Sequence, residues 1–518
     1  MNHHSSPSRR TVLGLLGAVP ASLLWHGSAA RAAAPGDPAL AARIREITDR
    51  PEFAGSRWGM RFHVLGASGP VYALNPEQRF VAASAVKVFI AGSAFSALGP
   101  HHRFRTEVHR TGPVVRGVLK GQLVLVAGGD LLLGPRIQPD GTIALPDPDH
   151  SYGTATQPVH GDPLRQLRHL ARQVARRGIR QVEGGVVVDA SLFREGREDI
   201  ANGFAPIPVS PVMLNDNIVD VVVAPGGRPG APADVRVSPA TGYVDVVNDV
   251  TTIPVDAAQA RPLTFTAVST DPHVVRLTGD VRLGAGPVVR PFYVPDPVRF
   301  TEVAFGQALR EEGVAVAPPS PGTAAVGGRR HLVAEHVSPP LSEQVKVMLK
   351  LSSNVHTVYL PYLVGAIAGR DPATAEATGE RFQRALFERA GLDPDDPANG
   401  GHTPDFFVRF LNHVAQQPYF ADYRRAMAIM GRDGTLSDVV PDSPAAGRVF
   451  AKTGTGVTGT RLHKAMTGYL VLPDGTVVVF AEFTDQPVGS LAEAMALQKV
   501  VGTAQGDIVT AVHDSLTR

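Results

Sequence analysis

The sequence contains no cysteine. Disulfides, thiolate nucleophiles, thiolate metal sites and a lipid anchor on cysteine are therefore excluded. Aromatic residues make up only 6% of the chain, and tryptophan occurs twice. Lysine is scarce as well: seven of the 50 basic residues are lysine (87, 120, 346, 350, 452, 464 and 499), and the rest are arginine. A chain that meets its need for positive charge with arginine keeps lysine where arginine fails, and arginine cannot be deprotonated into a base. Charge of either sign is nearly balanced, at a formal +2, and no basic patch points to a nucleic-acid partner.

Glycine and proline, by contrast, are plentiful at 53 and 44 residues, which implies many turns and short strands. At 518 residues, with 43% hydrophobic and 19% charged, the chain has the composition of a soluble protein of two or three domains. Residues 1–34 read as an address. Ser8-Arg9-Arg10-Thr11-Val12-Leu13 carries twin arginines, an apolar run follows to Trp25, and small residues with A-x-A spellings crowd Ser28 to Ala34. This resembles a twin-arginine signal peptide, and the run is too short for a membrane span. The expectation is a cleaved, exported protein that works in the periplasm or outside the cell, associated with the cell wall and without a stable membrane span.

The remainder divides by texture. A helix is expected over Asp37–Asp49, with strands at Arg57–Leu65 and Pro70–Leu74. From about His101 to 295, short alternating runs such as Gln122-Leu-Val-Leu-Val and Ile218-Val-Asp-Val-Val-Val, divided by Gly/Pro turns, predict a mostly β insert. One capped helix interrupts it after Asp162-Pro163. Asp296-Pro297 opens another helix, Pro340 to Gln417 is largely helical, and three strands then precede a C-terminal helix from Ser490.

The chemistry concentrates in Phe80-Val-Ala-Ala-Ser84-Ala-Val-Lys87-Val-Phe-Ile-Ala91. A hydroxyl and an amine three residues apart share one face at the start of an apolar helix. Serine needs a neighbour to take its proton, and lysine does so only when desolvation or a nearby cation lowers its pKa. By itself the S-x-x-K spelling is weak, with roughly 0.3 chance matches in such a chain. Two later stretches each occur once: Lys350-Leu-Ser352-Ser-Asn354, where Ser352 could simply cap a helix, and Ala451-Lys452-Thr453-Gly454-Thr455. S-x-x-K, S-x-N and K-T-G in this order form a known catalytic signature.

With these motifs the chain resembles the serine penicillin-binding proteins, and within them the low-molecular-mass class C D-Ala-D-Ala carboxypeptidase/endopeptidase family. The branch is set by the gap of about 268 positions from Ser84 to Ser352, where that family carries accessory domains. Gly128-Gly-Asp130, Asn215-Asp-Asn217, Val294-Pro-Asp-Pro297 and Asp433-Gly-Thr435 look like it too. Leu131, Val358 and Gly400-Gly-His-Thr-Pro404 depart from its pattern. The resemblance implies an α+β fold: a serine transpeptidase/β-lactamase-like domain, its antiparallel sheet flanked by helices, built from 36–100 and 296–518 around the inserted 101–295.

It also implies roles. Ser84 attacks the penultimate D-Ala carbonyl and Lys87 takes its proton. Ser352 passes a proton to the leaving amine, and Asn354 holds the substrate amide and orients Lys87. Lys452 and Thr453 bind the terminal carboxylate, Gly454 lets the substrate pair with the strand, and the backbone N–H groups of Ser84 and Thr455 form the oxyanion hole. Peptidoglycan stem peptides are the implied substrates and β-lactam antibiotics the acylating inhibitors; no cofactor or metal is called for.

Other readings compete. A β-lactamase needs a second base, and Glu198-Asp-Ile-Ala-Asn202 spells E-x-x-x-N, yet it precedes the S-x-N motif. A cell-wall-peptide binding protein on the same scaffold would not need Ser84, Lys87 and Lys452 intact. Gly454-x-Gly456-x-x-Gly459 matches a dinucleotide fingerprint by letter only, and His331 to His336 is one residue out of register for a zinc motif.

Overall fold

The computed structural model describes residues 37–152, 157–200, 206–317, 329–396 and 401–517. Residues 1–34, read above as a signal peptide, Asn202 and Gly400 lie outside them.

The N-terminal helix α1 (Pro38–Thr48) starts where expected, because the Asp37 carboxylate accepts from the Ala39 N–H at 2.9 Å and Pro38 takes the first helical position. Strands β1 (Arg57–Val64) and β2 (Tyr72–Leu74) follow, and the chain returns to the same sheet only with β3 (Ala428–Ile429), β4 (Val449–Thr458), β5 (Arg461–Val471) and β6 (Val477–Pro487). The sheet is antiparallel throughout, in the order β3-β4-β5-β6-β1-β2. Residues 57–64 are thus stitched to residues 478–485, Arg57 opposite Asp485 and Val64 opposite Val478.

Both faces are buried, and the period of two sorts the side chains between two cores. Val479, Ala481 and Phe483 of β6 face helices α2 (Lys87–Leu98), α3 (Leu341–Lys350), α4 (Asn354–Leu363), α5 (Ala375–Arg389) and α6 (Pro404–Ala415). Val478 and Phe480 face α1 and the C-terminal α7 (Leu491–Leu516). Phe89, two residues after Lys87, anchors α2: its ring lies 4.5 Å from Phe407, 4.8 Å from Phe410 and 5.1 Å from Phe387. Each such pair adds roughly 0.5–1.5 kcal/mol beyond its buried area, so the helix carrying Lys87 is firmly held.

The insert has a core of its own. Its main sheet runs His331–Val337, Arg105–Arg110, Leu123–Val126, Val186–Asp189, with the helices Arg165–Arg176 and Pro297–Glu311 packed on it. This moves the junction expected at 296. The helix after Asp296 does start there, its carboxylate capping the Arg299 N–H at 2.9 Å, but its stripe of Phe300, Ala304, Phe305, Ala308 and Leu309 enters the insert's core. Strand 331–337 likewise pairs with 105–110. An amphipathic stripe tells that a helix is half-buried, not which core it joins. We place the return to the sheet domain after Val337. The two parts are not separate lobes: Phe104, Leu131, Phe193, Ile207, Met213 and Ile218 of the insert share the core of α2 to α6.

Candidate active site

Ser84 and Lys87 stand at the head of α2, though not both inside it. Ala83–Val86 forms a single 3-10 turn and the α-helix begins at Lys87. In that tighter turn side chains three apart nearly eclipse, yet Lys87 Nζ finds its hydrogen-bond partners on Ser352 and Asn354 and not on Ser84. Ala83 holds φ at 45°, a strained left-handed conformation of the kind that gathers at functional sites. Ser84 is half-buried and Lys87 is 3% exposed.

The Lys87 ammonium crosses to the start of α4, donating to Ser352 O at 2.6 Å, Asn354 Oδ1 at 2.8 Å and Ser352 Oγ at 3.2 Å. From the sheet, Lys452 Nζ donates to the same Ser352 Oγ at 3.0 Å and to Thr453 O at 2.5 Å. Ser352 is therefore not a helix cap. That task falls to Ser353, whose Oγ accepts from the His356 N–H at 3.2 Å, while Ser352 is turned to φ 59° and its hydroxyl points between the two lysines. The Asn354 amide is fixed from its other end, Nδ2 donating to Tyr152 O of the insert at 2.9 Å.

The electrostatics follow from this crowding. Burial first, and the neighbouring Lys452 second, hold the Lys87 amine well below the usual lysine range. Burial, then the cation of Lys464, bring Lys452 down to about 7 against the pull of Asp147. Asp147, a carboxylate at the surface of the insert, is itself raised by partial loss of solvent and by Asp149. Two full positive charges on one buried hydroxyl are costly, so the arrangement favours one lysine in its neutral form.

Strand β4 runs past the Ser84 turn. A Cβ built on Gly454 would lie 2.2 Å from Ala82 O and 3.1 Å from the Ala85 nitrogen, so only glycine permits this approach. The K-T-G stretch is mid-strand, because β4 continues to Thr458. Thr453 Oγ1 donates to Thr435 Oγ1 at 2.8 Å, and Thr455 Oγ1 accepts from Lys464 Nζ at 2.8 Å. The Asp433-Gly-Thr stretch that carries Thr435 is held by Lys350, whose Nζ donates to Asp433 Oδ2 at 2.7 Å and to Met427 O at 2.7 Å. Hydrogen bonds thus join Lys87, Ser352, Asn354 and Lys452, and β4 brings Thr453, Gly454 and Thr455 alongside the turn of Ser84.

Asn215-Asp216-Asn217 has a physical role too. All three adopt left-handed φ, at 50°, 56° and 53°, which Asn and Asp tolerate better than other side chains. Asn217 Nδ2 donates to Tyr359 Oη on α4 at 2.6 Å. The turn delivers Asp216 into a sealed charge network: its carboxylate meets Arg136, His150 Nε2 at 3.0 Å and His356 Nε2 at 2.9 Å. Arg136 also pairs with Asp149 at 2.6 Å, and His150 Nδ1 with Asp220 at 2.8 Å. Burial opposes ionisation of both groups, yet Arg136 and His356 hold Asp216 well below the usual carboxylate range, while Asp220 and Asp216 push His150 up to about 10. His356 lies on α4 two residues beyond Asn354, so this knot clamps the insert to the helix of the S-x-N motif.

Glu198, candidate second base of the β-lactamase reading, is engaged by the Tyr362 hydroxyl. That tyrosine is eight residues, roughly 12 Å, along α4 from Asn354. His336 pairs with Asp130 at 3.2 Å inside the insert. Leu131 and Val358 are core residues, 1% and 4% exposed. Sequence reasoning missed the His150–Tyr152 turn, Asp147 and Lys464. For Lys464 a signal existed, since it is one of only seven lysines; for the others none did, because loop residues of an insert reveal no destination.

A family model described as D-Ala-D-Ala carboxypeptidase 3 (S13) matches residues 40–505. The chain is 26% identical over 496 residues to a D-alanyl-D-alanine carboxypeptidase of an Actinomadura species, covering 89% of this chain and 82% of that one. It is 23% identical over 466 residues to the D-alanyl-D-alanine carboxypeptidase DacB of Haemophilus influenzae, covering 85% and 87%. The crystal structure of penicillin binding protein 4 from Haemophilus influenzae superposes with a TM-score of 0.68 at 20% identity, over 91% of this chain and 99% of that one, which establishes the fold.

Proposed function

Since the chain belongs to the D-Ala-D-Ala carboxypeptidase 3 (S13) family, and is accordingly a serine-type D-Ala-D-Ala carboxypeptidase of penicillin-binding type, we propose how its residues divide the reaction. Ser84 Oγ attacks the carbonyl carbon of the penultimate D-Ala, and its proton passes to the neutral amine of Lys87. The oxyanion rests on the backbone N–H groups of Ser84 and Thr455. When the C–N bond breaks, the terminal D-Ala amine takes its proton through the Ser352 hydroxyl, and water then cleaves the Ser84 ester. Asn354 orients Lys87 and the substrate amide, Lys452 and Thr453 hold the terminal carboxylate, and Gly454 allows the peptide to pair with β4.

The observation that carries this reading is Ser352 Oγ lying 3.2 Å from Lys87 Nζ and 3.0 Å from Lys452 Nζ. One hydroxyl between a depressed amine and a cation is a proton path from nucleophile to leaving group. The proposed substrates are peptidoglycan stem peptides, including their cross-links, with β-lactams acylating Ser84. No helix among the described residues is long and apolar enough to cross a membrane, and the twin-arginine spelling of residues 8–13 supports export to the cell-wall side.

The test is incubation with cross-linked muropeptides, following D-Ala release and cross-link cleavage separately, alongside labelling by a fluorescent penicillin. Covalent label lost in Ser84→Ala, with release of D-Ala by the unmodified chain, is the expected result. Label retained in Ser84→Ala would refute the assignment of the nucleophile.

A further inference from the structure

Lys464 lies on β5 directly opposite Thr455 of β4, and its Nζ donates to Thr455 Oγ1 at 2.8 Å. An ammonium only donates, so the threonine hydroxyl must accept with a lone pair and turn its own proton elsewhere. Among the described residues no protein acceptor takes that proton. Thr455 is half-buried and lies beside Gly454, on the strand whose Lys452 and Thr453 the proposed function assigns to the terminal carboxylate. The donor pattern therefore leaves an O–H without a protein acceptor on the strand that carries Lys452.

The surroundings of Lys464 agree with service to an anion. Among the described residues no carboxylate lies within ion-pair distance of its ammonium. Thr484 stands opposite it on β6, and Gly502 of α7 lies alongside, where a Cβ would be in ordinary contact at 3.9 Å from Nζ. Its charge is felt by Lys452, the other cation of the strand pair. A half-buried lysine with a hydroxyl as its partner, in a chain that otherwise uses arginine, is poorly explained as a surface charge.

We propose that Lys464 is a positioning residue for the carboxylate terminus of the substrate: by holding the Thr455 hydroxyl from behind it aims that O–H at the carboxylate. This rests on the proposed function and adds to it a residue outside the three motifs.

The test compares acylation by benzylpenicillin, which carries the carboxylate, with acylation by its methyl ester, which does not. Second-order rates are measured for the unmodified chain, Lys464→Met, Lys464→Arg, Thr455→Val and the Met/Val double variant, with melting curves for each. Lys464→Met should slow the free acid on the order of tenfold, the weight of one oriented hydrogen bond to a charged group, and leave the ester nearly unchanged. Lys464→Arg should recover most of the rate. The double variant should be no slower than Thr455→Val alone, because the lysine acts through that hydroxyl. Equal losses on acid and ester, additive single effects, or a folded Lys464→Arg as slow as the Met variant would each overturn the inference. A chain that the penicillin acylates, but in which Lys464→Met matches the unmodified rate, sinks this inference alone. A chain that it does not acylate at all sinks the functional reading and this inference with it.

Discussion

The sharpest test of the active-site assignment is Lys87→Arg. The native amine sits in a pocket 3% exposed, with acceptors at 2.6, 2.8 and 3.2 Å, and burial together with Lys452 depresses its pKa. Arginine keeps the charge and the reach but stays protonated at every pH of interest, so it cannot take the proton of Ser84. Loss of a general base costs about 10²–10⁴ in rate. A permanent guanidinium beside Lys452 adds repulsion, which places the expectation toward the upper end. Lys452→Arg should cost only about tenfold, because a guanidinium fork still binds a carboxylate. The pH profile carries a second signature. Acylation rises with pH while Lys87 loses its proton, and falls as Lys452, at about 7 in the free protein, loses the charge that binds the carboxylate. Replacing Lys87 should abolish the acidic limb and spare the alkaline one. The assay is the second-order rate of acylation by a labelled penicillin from pH 6 to 9, with melting curves as a control for folding. Equal losses in the two variants, or an active Lys87→Arg protein, would refute the assignment of Lys87 as base.

Three other outcomes are expected. Gly454→Ala would drive a methyl group against the backbone at Ala82 and Ala85, parting β4 from the Ser84 turn, so penicillin acylation should fall on the order of 10²-fold while the protein stays folded; an unimpaired variant would show that the approach is not needed. Asp216→Ala leaves Arg136, His150 and His356 without their shared counter-charge and should destabilise by about 3–5 kcal/mol in urea titration, and a loss below about 1 kcal/mol would show that the knot contributes little. Glu482 is fully buried in β6 with both carboxylate oxygens unpartnered among the described residues, and burial raises its pKa well above the usual range. A raised folded pKa gives stability that is fully present below the unfolded value of about 4.3 and is lost as pH rises toward the folded one. Glu482→Met should therefore stabilise the protein by about 1–3 kcal/mol, by an advantage that widens from pH 4 upward; a variant less stable at pH 8 than at pH 5, relative to the unmodified chain, would contradict this.

The sequence was most legible where one local rule decides the structure. Asp37-Pro38, Asp296-Pro297 and Ser490 mark helix starts because a side-chain oxygen and a backbone N–H lie within a few residues of each other. The three motifs were legible as spellings, since their chemistry restricts each position to one or two residue types. What stayed hidden depends on distant partners. Nothing near His331 announces that its strand pairs with Arg105–Arg110. The capping role of Ser353 in place of Ser352 turns on one backbone angle that either serine could have adopted. Asp216 looked like part of a family spelling, and only the fold shows that three left-handed residues aim its charge at Arg136, His150 and His356.

The contact between Tyr152 O and Asn354 Nδ2 bears on how this protein could be re-engineered. An amide side chain can be rotated half a turn at little steric expense, and in that orientation Asn354 would offer Lys87 an NH2 group in place of an oxygen. The carbonyl of Tyr152 forbids the swap, and it arrives from a segment 202 positions earlier in the chain. A minimal enzyme made by splicing residue 100 to residue 338 would thus keep every motif residue and lose the group that tells the asparagine which way to face. Chimeras that exchange the insert between relatives should keep the Asp147–Tyr152 turn matched to the sheet domain, since the turn is anchored in the insert through Asp149 and His150 while its Tyr152 carbonyl fixes a residue of the other domain.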